Sequence, residues 1–291
     1  MDNTKQSFLD KWNNNPKLAF DNTLKEGSEI FNWILKRNGF KNKNHLIKYL
    51  ANKTRILDAG CGNGRVTALL SKYSNPLKTE IVGIDLVASN IAKKNFKDNN
   101  KIKFYKKNIL DKLNDLGKFD FVYCQEVLHH TKIPKKAFIN LCSLLTKNGE
   151  IAIYVYKKKA PIREYVDDYI RKKIENLSYI EAIKVCEQIT KLGYILSQIN
   201  AKITVPQIDS LEISKGKYDL QRFLYHFFIK CYWNPELSFK DNVVINYDWY
   251  HPQICIRYQP DVIRNWFNEA GLKIIHENID HYGITIRGKR I

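Results

Sequence analysis

Three glycines and two aspartates in the first third of the chain are spaced to hold a nucleotide-like ligand. Gly60, Gly62 and Gly64 follow an apolar run and precede a helical pattern, and Asp58 stands just before them. Glycine permits a tight turn and lets a ligand approach the backbone closely, at the N-terminus of the helix that follows. Asp85 ends the next apolar run, where its carboxylate can accept hydrogen bonds from both hydroxyls of a ribose. The pattern therefore predicts a site for a ligand that carries a ribose.

A histidine pair provides a candidate base. His129 and His130 follow another apolar run, which closes with Gln125. Imidazole titrates near neutrality, so His130 can accept a proton from a bound acceptor. The alternative is that the pair only orders the loop, and the spacing alone leaves both interpretations open.

A short aromatic run in the second half of the chain is a candidate acceptor site. Asp248, Tyr250 and His251 lie within six residues, and together they can supply a base, an orienting donor and a stacking wall. Arg222 and His226 stand four residues apart in a helical pattern and can hold an anionic acceptor. The alternatives are an aromatic plug in the core for the first group and a solvated basic face for the second.

The elements that must position these residues alternate between strand and helix from residue 54 onward. Apolar runs predict seven strands, at 55–58, 81–85, 102–105, 119–123, 150–156, 272–279 and 283–287. Strands separated by helices predict an α/β fold with a mostly parallel sheet and helices on both faces. We expect three regions: an N-terminal helical cap (1–53), an α/β core (54–156 and 253–291) and a large, mainly helical insert after the fifth strand (157–252).

Two helices are expected in the insert, over 161–173 and 220–233. In the first, Arg163, Asp167 and Arg171 have the spacing of a surface ion-pair ladder. Its apolar face is expected to be buried, and consists of Ile162, Tyr165, Val166, Tyr169 and Ile170. In the second, Lys230 follows Arg222 and His226 at the same four-residue interval, opposite an apolar stripe.

Composition limits the possible functions and locations. The chain has 291 residues and a formal net charge of +18, but its basic residues are spread over its whole length, which argues against a specific nucleic-acid surface. The six cysteines form no Cys-x-x-Cys pair and no His cluster accompanies them, so neither a disulfide framework nor a metal site is expected. No apolar run has the length of a membrane span, and the first ten residues lack a signal-peptide pattern. We expect a cytoplasmic protein without membrane insertion, and the sequence leaves the oligomeric state open.

Two segments resemble the class I S-adenosylmethionine-dependent methyltransferases, which have a Rossmann-like fold. Residues 56–65, ILDAGCGNGR, resemble the family's glycine loop, and residues 119–130, FDFVYCQEVLHH, resemble its fourth strand and the loop after it. The resemblance covers residues 54–156, and residues 259–288 in outline. It implies S-adenosylmethionine as the cofactor.

The resemblance also implies a role for individual residues. Asp58 would reach the amine of the cofactor, Asp85 would bind the ribose, and Leu86 would pack on the adenine. Many relatives carry Asp where this chain has Asn108, which puts the contact to the adenine amine in doubt. The whole implied cofactor site consists of Asp58, Gly60, Cys61, Gly62, Asp85, Leu86, Asn108, Ile109 and Gln125.

The expected reaction is an in-line displacement at the sulfonium methyl carbon. A base is needed only where the acceptor loses a proton as it reacts. We expect a small-molecule acceptor, such as a sugar, another metabolite or a cell-envelope glycan precursor, bound by a lid that residues 157–252 form over the rim of the sheet. The candidate catalytic residues are His130, Tyr250 and His251, and the candidate acceptor contacts are Arg222, His226, Asp248, Tyr250 and His251. The alternatives are an RNA methyltransferase and a catalytically inactive cofactor-binding partner.

Overall fold

A computed structural model of the chain describes residues 2–96 and 102–291. The chain forms two compact units. We call Trp12–Lys157 with Ile256–Ile291 the sheet unit, and Met1–Lys11 with Lys158–Cys255 the helical unit. Residues 1–11 therefore group with residues 158–255, whereas the sequence predicted one cap over residues 1–53. The reason is a set of hydrogen bonds over some 250 residues, in which the Asn3 amide donates to Gln253 Oε1 and the Ile254 amide donates to Thr4 Oγ1, each at 2.9 Å.

The elements occur in the following order. The strands are β1 (Arg55–Ala59), β2 (Glu80–Asp85), β3 (Ile102–Lys106), β4 (Phe119–Gln125), β5 (Leu145–Tyr156), β6 (Lys202–Val205), β7 (Gly216–Asp219), β8 (Leu272–Ile279) and β9 (Gly283–Arg290). The helices are α1 (Thr4–Asn14), α2 (Phe20–Leu24), α3 (Glu29–Arg37), α4 (Lys43–Leu50), α5 (Arg65–Tyr73), α6 (Ser89–Asn95), α7 (Pro134–Ser143), α8 (Pro161–Ile174), α9 (Tyr179–Gln198), α10 (Leu220–Phe227), α11 (Phe239–Tyr250) and α12 (Pro260–Glu269).

The sheet unit is built on a seven-stranded sheet in the order β3-β2-β1-β4-β5-β9-β8. The first five strands run parallel, and β9 pairs antiparallel with both β5 and β8. The predicted α/β class with a mostly parallel seven-stranded sheet is confirmed. Because chain order reverses between β1 and β4, the carboxyl ends of these strands border the crevice where open α/β sheets bind ligands.

Apolar packing holds the central strands in place. Leu57, Val122 and Ile153 of β1, β4 and β5 are all fully buried in the main core cluster. Phe138 of α7 and Phe267 of α12 belong to the same cluster, with ring centroids 4.9 Å apart. Strands buried on both faces need near-continuous apolar runs, which is the pattern that made them visible in the sequence.

Helix α8 of the helical unit buries the face that was expected to be exposed, and exposes the face that was expected to be buried. Arg163 and Asp167 are 1% and 0% exposed, whereas Tyr165 and Tyr169 are 77% and 57% exposed. The predicted surface ion-pair ladder is therefore wrong. The physical reason is Asp167, whose carboxylate accepts several hydrogen bonds from inside the unit and so turns the charged face of α8 inward.

Helix α10 is shorter than expected and ends at Phe227. Lys230 lies beyond it, so Arg222, His226 and Lys230 do not share one helical face. The residues after α10 are held in another conformation because side-chain oxygens bind their amides. Asp167 Oδ1 accepts from the amide of Lys230 at 3.0 Å, and Asn246 Oδ1 accepts from that of Tyr232 at 2.9 Å.

Among the helices within the described ranges, none is both long enough and apolar enough to cross a lipid bilayer.

Candidate cofactor site

The glycine loop between β1 and α5 requires glycine for two reasons. Gly60 and Gly62 have φ of 80° and 54°, the left-handed region that side chains rarely adopt. A Cβ on Gly60 would also lie 2.2 Å from Val127 Cγ2, and one on Gly62 would lie 2.6 Å from the Trp12 ring. Val127, in the loop after β4, and Trp12 thus pack directly against the backbone of the glycine loop. The glycine loop therefore has no room for larger residues at these two positions.

Asp85 fastens this loop to the end of β2. Its Oδ2 accepts a hydrogen bond from the Gly62 amide at 3.0 Å, and its Oδ1 accepts from the amides of Val87 and Ala88 at 2.8 Å each. The carboxylate is therefore fixed in position by three backbone donors. A carboxylate held in this way at a strand end can accept further hydrogen bonds from a diol without rearranging.

Asp58 is a buried carboxyl group at the end of β1. It is 3% exposed, and its Oδ2 accepts from the Thr67 hydroxyl at 2.6 Å. Burial raises the pKa of Asp58 to about 7, and the nearby charge of Asp85 adds to the effect. A cationic group placed beside this carboxyl would favour its ionised form, so the site fits an ammonium group.

Gln125, at the end of β4, takes part in a polar network that the sequence did not reveal. Its Oε1 accepts from the Tyr123 hydroxyl at 2.9 Å, and its amide donates to Asn38 Oδ1. Asn38 follows α3, and its own amide donates to the carbonyl of Ile34 at 2.8 Å. The helices before β1 thus contribute to the site, although they carry no recognisable motif.

Arg37 is a second residue that sequence reasoning missed. Its guanidinium carbon lies 3.4 Å from the centre of the Trp33 ring and 4.3 Å from that of Tyr154, and the residue is 2% exposed. Its Nη1 lies 3.9 Å from a carboxylate oxygen of Glu126. Glu126 follows Gln125 with a φ of 65° and also pairs with Arg65 at 3.3 Å. The two ion pairs hold Glu126 in this left-handed conformation, which few residues other than glycine adopt.

The histidine pair lies in a single 3₁₀ turn after β4. His129 is fully buried, with its ring centre 3.7 Å from that of Tyr156, and its carbonyl accepts from the Ile256 amide at 2.9 Å. His130 is 9% exposed, and its ring lies 4.3 Å from that of His129. His129 is therefore part of the aromatic core, and His130 is the member of the pair nearer to solvent.

The predicted adenine contacts lie after β2 and β3. Leu86 is 38% exposed, so its side chain is accessible to a ligand at this edge of the sheet. Asn108 uses its side-chain oxygen to accept from the Leu110 amide at 3.0 Å, and Ile109 is buried. The sheet unit thus brings together the predicted cofactor residues from the loops after β1, β2, β3 and β4.

Tyr250 and His251 lie in the interior of the helical unit. The Tyr250 hydroxyl donates to Asp167 Oδ1 at 2.9 Å, and burial raises the pKa of Tyr250 well above its usual value. His251 Nδ1 lies 2.8 Å from Ser7 Oγ, its Nε2 lies 2.9 Å from the Leu177 carbonyl, and burial lowers its pKa. These contacts stabilise the unit, and the catalytic role assigned to both residues stays a prediction.

The other expected acceptor contacts also belong to the helical unit. Asp248 forms an ion pair with Lys11 at 2.9 Å. Arg222 lies over the ring of Tyr225 at 5.7 Å, and the Tyr225 and His226 rings are 5.1 Å apart. Arg222 and His226 thus both contact the Tyr225 ring. Their role in acceptor binding stays a prediction.

Several known proteins are similar to this chain in part of the sequence or in fold. A family model described as a methyltransferase domain matches residues 50–179. An uncharacterised protein of Synechococcus is 34% identical over 119 residues, which is 38% of this chain and 28% of that protein. A ubiquinone biosynthesis O-methyltransferase of Rickettsia conorii is 24% identical over 172 residues, which is 56% of this chain and 58% of that protein. The chain therefore spans less than two thirds of either relative.

The structure of N-methyltransferase NodS from Bradyrhizobium japonicum, in complex with S-adenosyl-L-homocysteine, is similar with a TM-score of 0.50. It is 13% identical, and the match covers 99% of both chains. Because only 13% of the residues are identical, this similarity shows a similar fold and no more. Residues 50–179, just under half of the chain, thus match a methyltransferase domain, in agreement with the resemblance of the sequence to the class I S-adenosylmethionine-dependent methyltransferases.

The matched segment runs from just before β1 to the start of α9. It contains the glycine loop, Asp85, Gln125 and the histidine pair. Residues 180–255, most of the helical unit, lie outside it.

Proposed function

We propose that this chain transfers the methyl group of S-adenosylmethionine to a small-molecule acceptor. The observation that carries the proposal is the arrangement of Asp58, the glycine loop and Asp85 at the carboxyl ends of β1 and β2. Asp58 is a buried carboxyl group that fits the cationic amine of the cofactor, and Asp85 is a fixed carboxylate that fits its ribose. The cofactor supplies a methyl group already activated by its sulfonium sulfur.

The remaining work of the chain is to align the acceptor and keep water away from the methyl group. The wall around the end of β5 suits this task, because His129, Tyr154 and Tyr156 are each at most 7% exposed and their rings pack together. Electron-rich ring faces also attract a sulfonium cation.

We further propose that the acceptor atom is a hydroxyl oxygen and that His130 is the base that accepts its proton. The relatives named O-methyltransferases support an oxygen acceptor. Replacement of His130 by Gln should lower kcat about tenfold or more, with little change in cofactor affinity, because a base acts on the transition state. A lower kcat in the variant with an unchanged dissociation constant for S-adenosylhomocysteine would support this assignment. Equal turnover of both forms would contradict it.

Calorimetric titration tests the cofactor site. Wild-type protein should bind both S-adenosylmethionine and S-adenosylhomocysteine, and Asp85→Ala should weaken both at least tenfold. The expected loss is roughly 1.5–3 kcal/mol for a charge-assisted contact to two hydroxyls. Asp111→Ala is the matched control, since Asp111 is an exposed acid elsewhere on the sheet unit. A folded Asp85→Ala variant with an unchanged dissociation constant would show that the ribose site lies elsewhere.

A further inference from the structure

A polar pocket of about 260 Å³ opens in the helical unit. Its walls come from the start of the chain through Asp10, from the turn between α8 and α9, and from the residues directly after α11. All ten lining residues belong to the helical unit. Pockets for drug-sized ligands measure roughly 300–1,000 Å³, so this one suits a smaller ligand with about one ring.

Hydrogen bonds between lining residues fix the pocket before any ligand enters. The amide of Asn3 donates to Gln253 Oε1 and the amide of Gln253 donates to Asn3 Oδ1, each at 2.9 Å. Asn3 Nδ2 also donates to the His251 carbonyl at 2.9 Å, and Gln253 Nε2 donates to Asn176 Oδ1 at 3.2 Å. A site that is held in shape in this way loses little conformational entropy when a ligand binds.

The charges around the pocket disfavour anionic ligands. Two carboxylates line it, those of Asp10 and Glu175, whereas no lysine or arginine does so among the described residues. Lysine and arginine make up 48 of the 291 residues, so a pocket lined by acids alone runs against the net charge of the chain. His251 also lines the pocket, and burial lowers the pKa of its imidazole, which is therefore uncharged at neutral pH. Phosphates and carboxylates would be repelled here.

The hydrogen-bonding groups of the pocket favour a hydroxylated ligand over a cation. A carboxylate only accepts hydrogen bonds, whereas a side-chain amide also donates them. Gln6 and Asn176 are exposed amides of the lining, and each can both donate and accept. A cation has only donors and so can serve the acids alone, whereas a hydroxyl donates to an acid and accepts from an amide. A neutral ligand with several hydroxyls therefore matches the lining best.

We propose that this pocket binds one ring of a neutral sugar. The ring hydroxyls would donate to the carboxylates of Asp10 and Glu175 and accept from the amide of Asn176. Tyr179 lines the pocket as well, with its ring centre 5.1 Å from that of Tyr247, and its aromatic ring offers an apolar surface to the C–H groups of a sugar. A free monosaccharide and the terminal residue of a glycan share this chemistry. The site lies within the helical unit and does not rest on the methyl transfer proposed above.

Saturation-transfer NMR of the full chain without cofactor tests the proposal. The probes are glucose, galactose, mannose and N-acetylglucosamine, each as the free sugar and as the methyl glycoside. At least one of these sugars should bind. Binding of the free sugar alone would identify a free monosaccharide as the ligand, whereas binding of the methyl glycoside would identify the terminal residue of a glycan.

Variants of Glu175 separate hydrogen bonding from charge. Glu175→Ala should weaken sugar binding at least tenfold, because the ring hydroxyls lose an ionised acceptor. Glu175→Gln should weaken it less, since an amide still exchanges hydrogen bonds with hydroxyls although it carries no charge. Asp10→Ala should also weaken binding, and it gives an independent readout from another wall of the pocket.

Glu187→Gln is the matched control for Glu175→Gln, because it removes the same charge from an exposed acid on α9, outside the pocket. It should leave sugar binding unchanged. The proposal fails if none of the sugars binds, or if Glu187→Gln loses as much affinity as Glu175→Ala. It also fails if spermidine binds more tightly than every sugar, which would indicate a site for cations.

Discussion

Asp58→Asn is expected to weaken cofactor binding severely while making the cofactor-free protein more stable at alkaline pH. The pKa of Asp58 is raised to about 7 in the folded state, mainly by burial. Between pH 4 and pH 7 the unfolded chain has lost this proton while the folded chain retains it. Stability therefore falls as pH rises through this window, and the full penalty is present above pH 7. Three pKa units correspond to about 4 kcal/mol, and asparagine removes this penalty while it still accepts from Thr67.

Denaturant unfolding at pH 5 and pH 8 measures this effect. At pH 8 the free energy of unfolding of Asp58→Asn should exceed that of the wild type. This excess should be about 2 kcal/mol larger at pH 8 than at pH 5. Titration with S-adenosylmethionine should show a loss of at least tenfold, because an amide cannot pair with the ammonium group of the ligand. Wild-type affinity should also rise as pH increases through 7, and the variant should lose that dependence. A variant that binds normally would place the amine of the cofactor elsewhere.

The sheet unit could be predicted from the sequence because its signals are local. A central strand of a parallel sheet must be apolar over most of its length, and a glycine loop must follow β1 where the backbone adopts positive φ. Asp58 and Asp85 stand at fixed offsets from these strands, so their positions followed from the strand assignments. Arg37 and Asn38 could not be found in this way, because they stand at the end of an ordinary amphipathic helix that reaches the site only through the fold.

Helix α8 could not be oriented from the sequence, for a different reason. Charges at four-residue intervals have the same spacing whether their face is exposed or buried, and the opposite face is apolar enough to pass for a core face. The decision depends on the donors that meet Asp167, and these come from Lys230, Trp249 and Tyr250, between 63 and 83 residues further along the chain. No local pattern contains that information.

The same arrangement predicts that Asp167→Ala will be among the most destabilising single substitutions in the chain. It would leave the buried guanidinium of Arg163 without its counter-ion, and the Lys230 amide and Trp249 Nε1 without the acceptor that they have in the wild type. Breaking a buried ion pair by removing one partner costs about 3–5 kcal/mol. The neighbouring Asp168, whose side chain is 44% exposed, offers a matched control, and Asp168→Ala should cost less than about 1 kcal/mol.

Denaturant unfolding of three variants separates the ion pair from the rest of the network. Asp167→Ala should lose the most stability, and Asp167→Asn less, because the amide oxygen still accepts from some of the donors. The double variant Arg163→Met with Asp167→Leu should recover part of the loss, since two apolar side chains of similar volume leave no uncompensated charge. If Asp167→Ala costs no more than Asp168→Ala, Asp167 does not organise the helical unit.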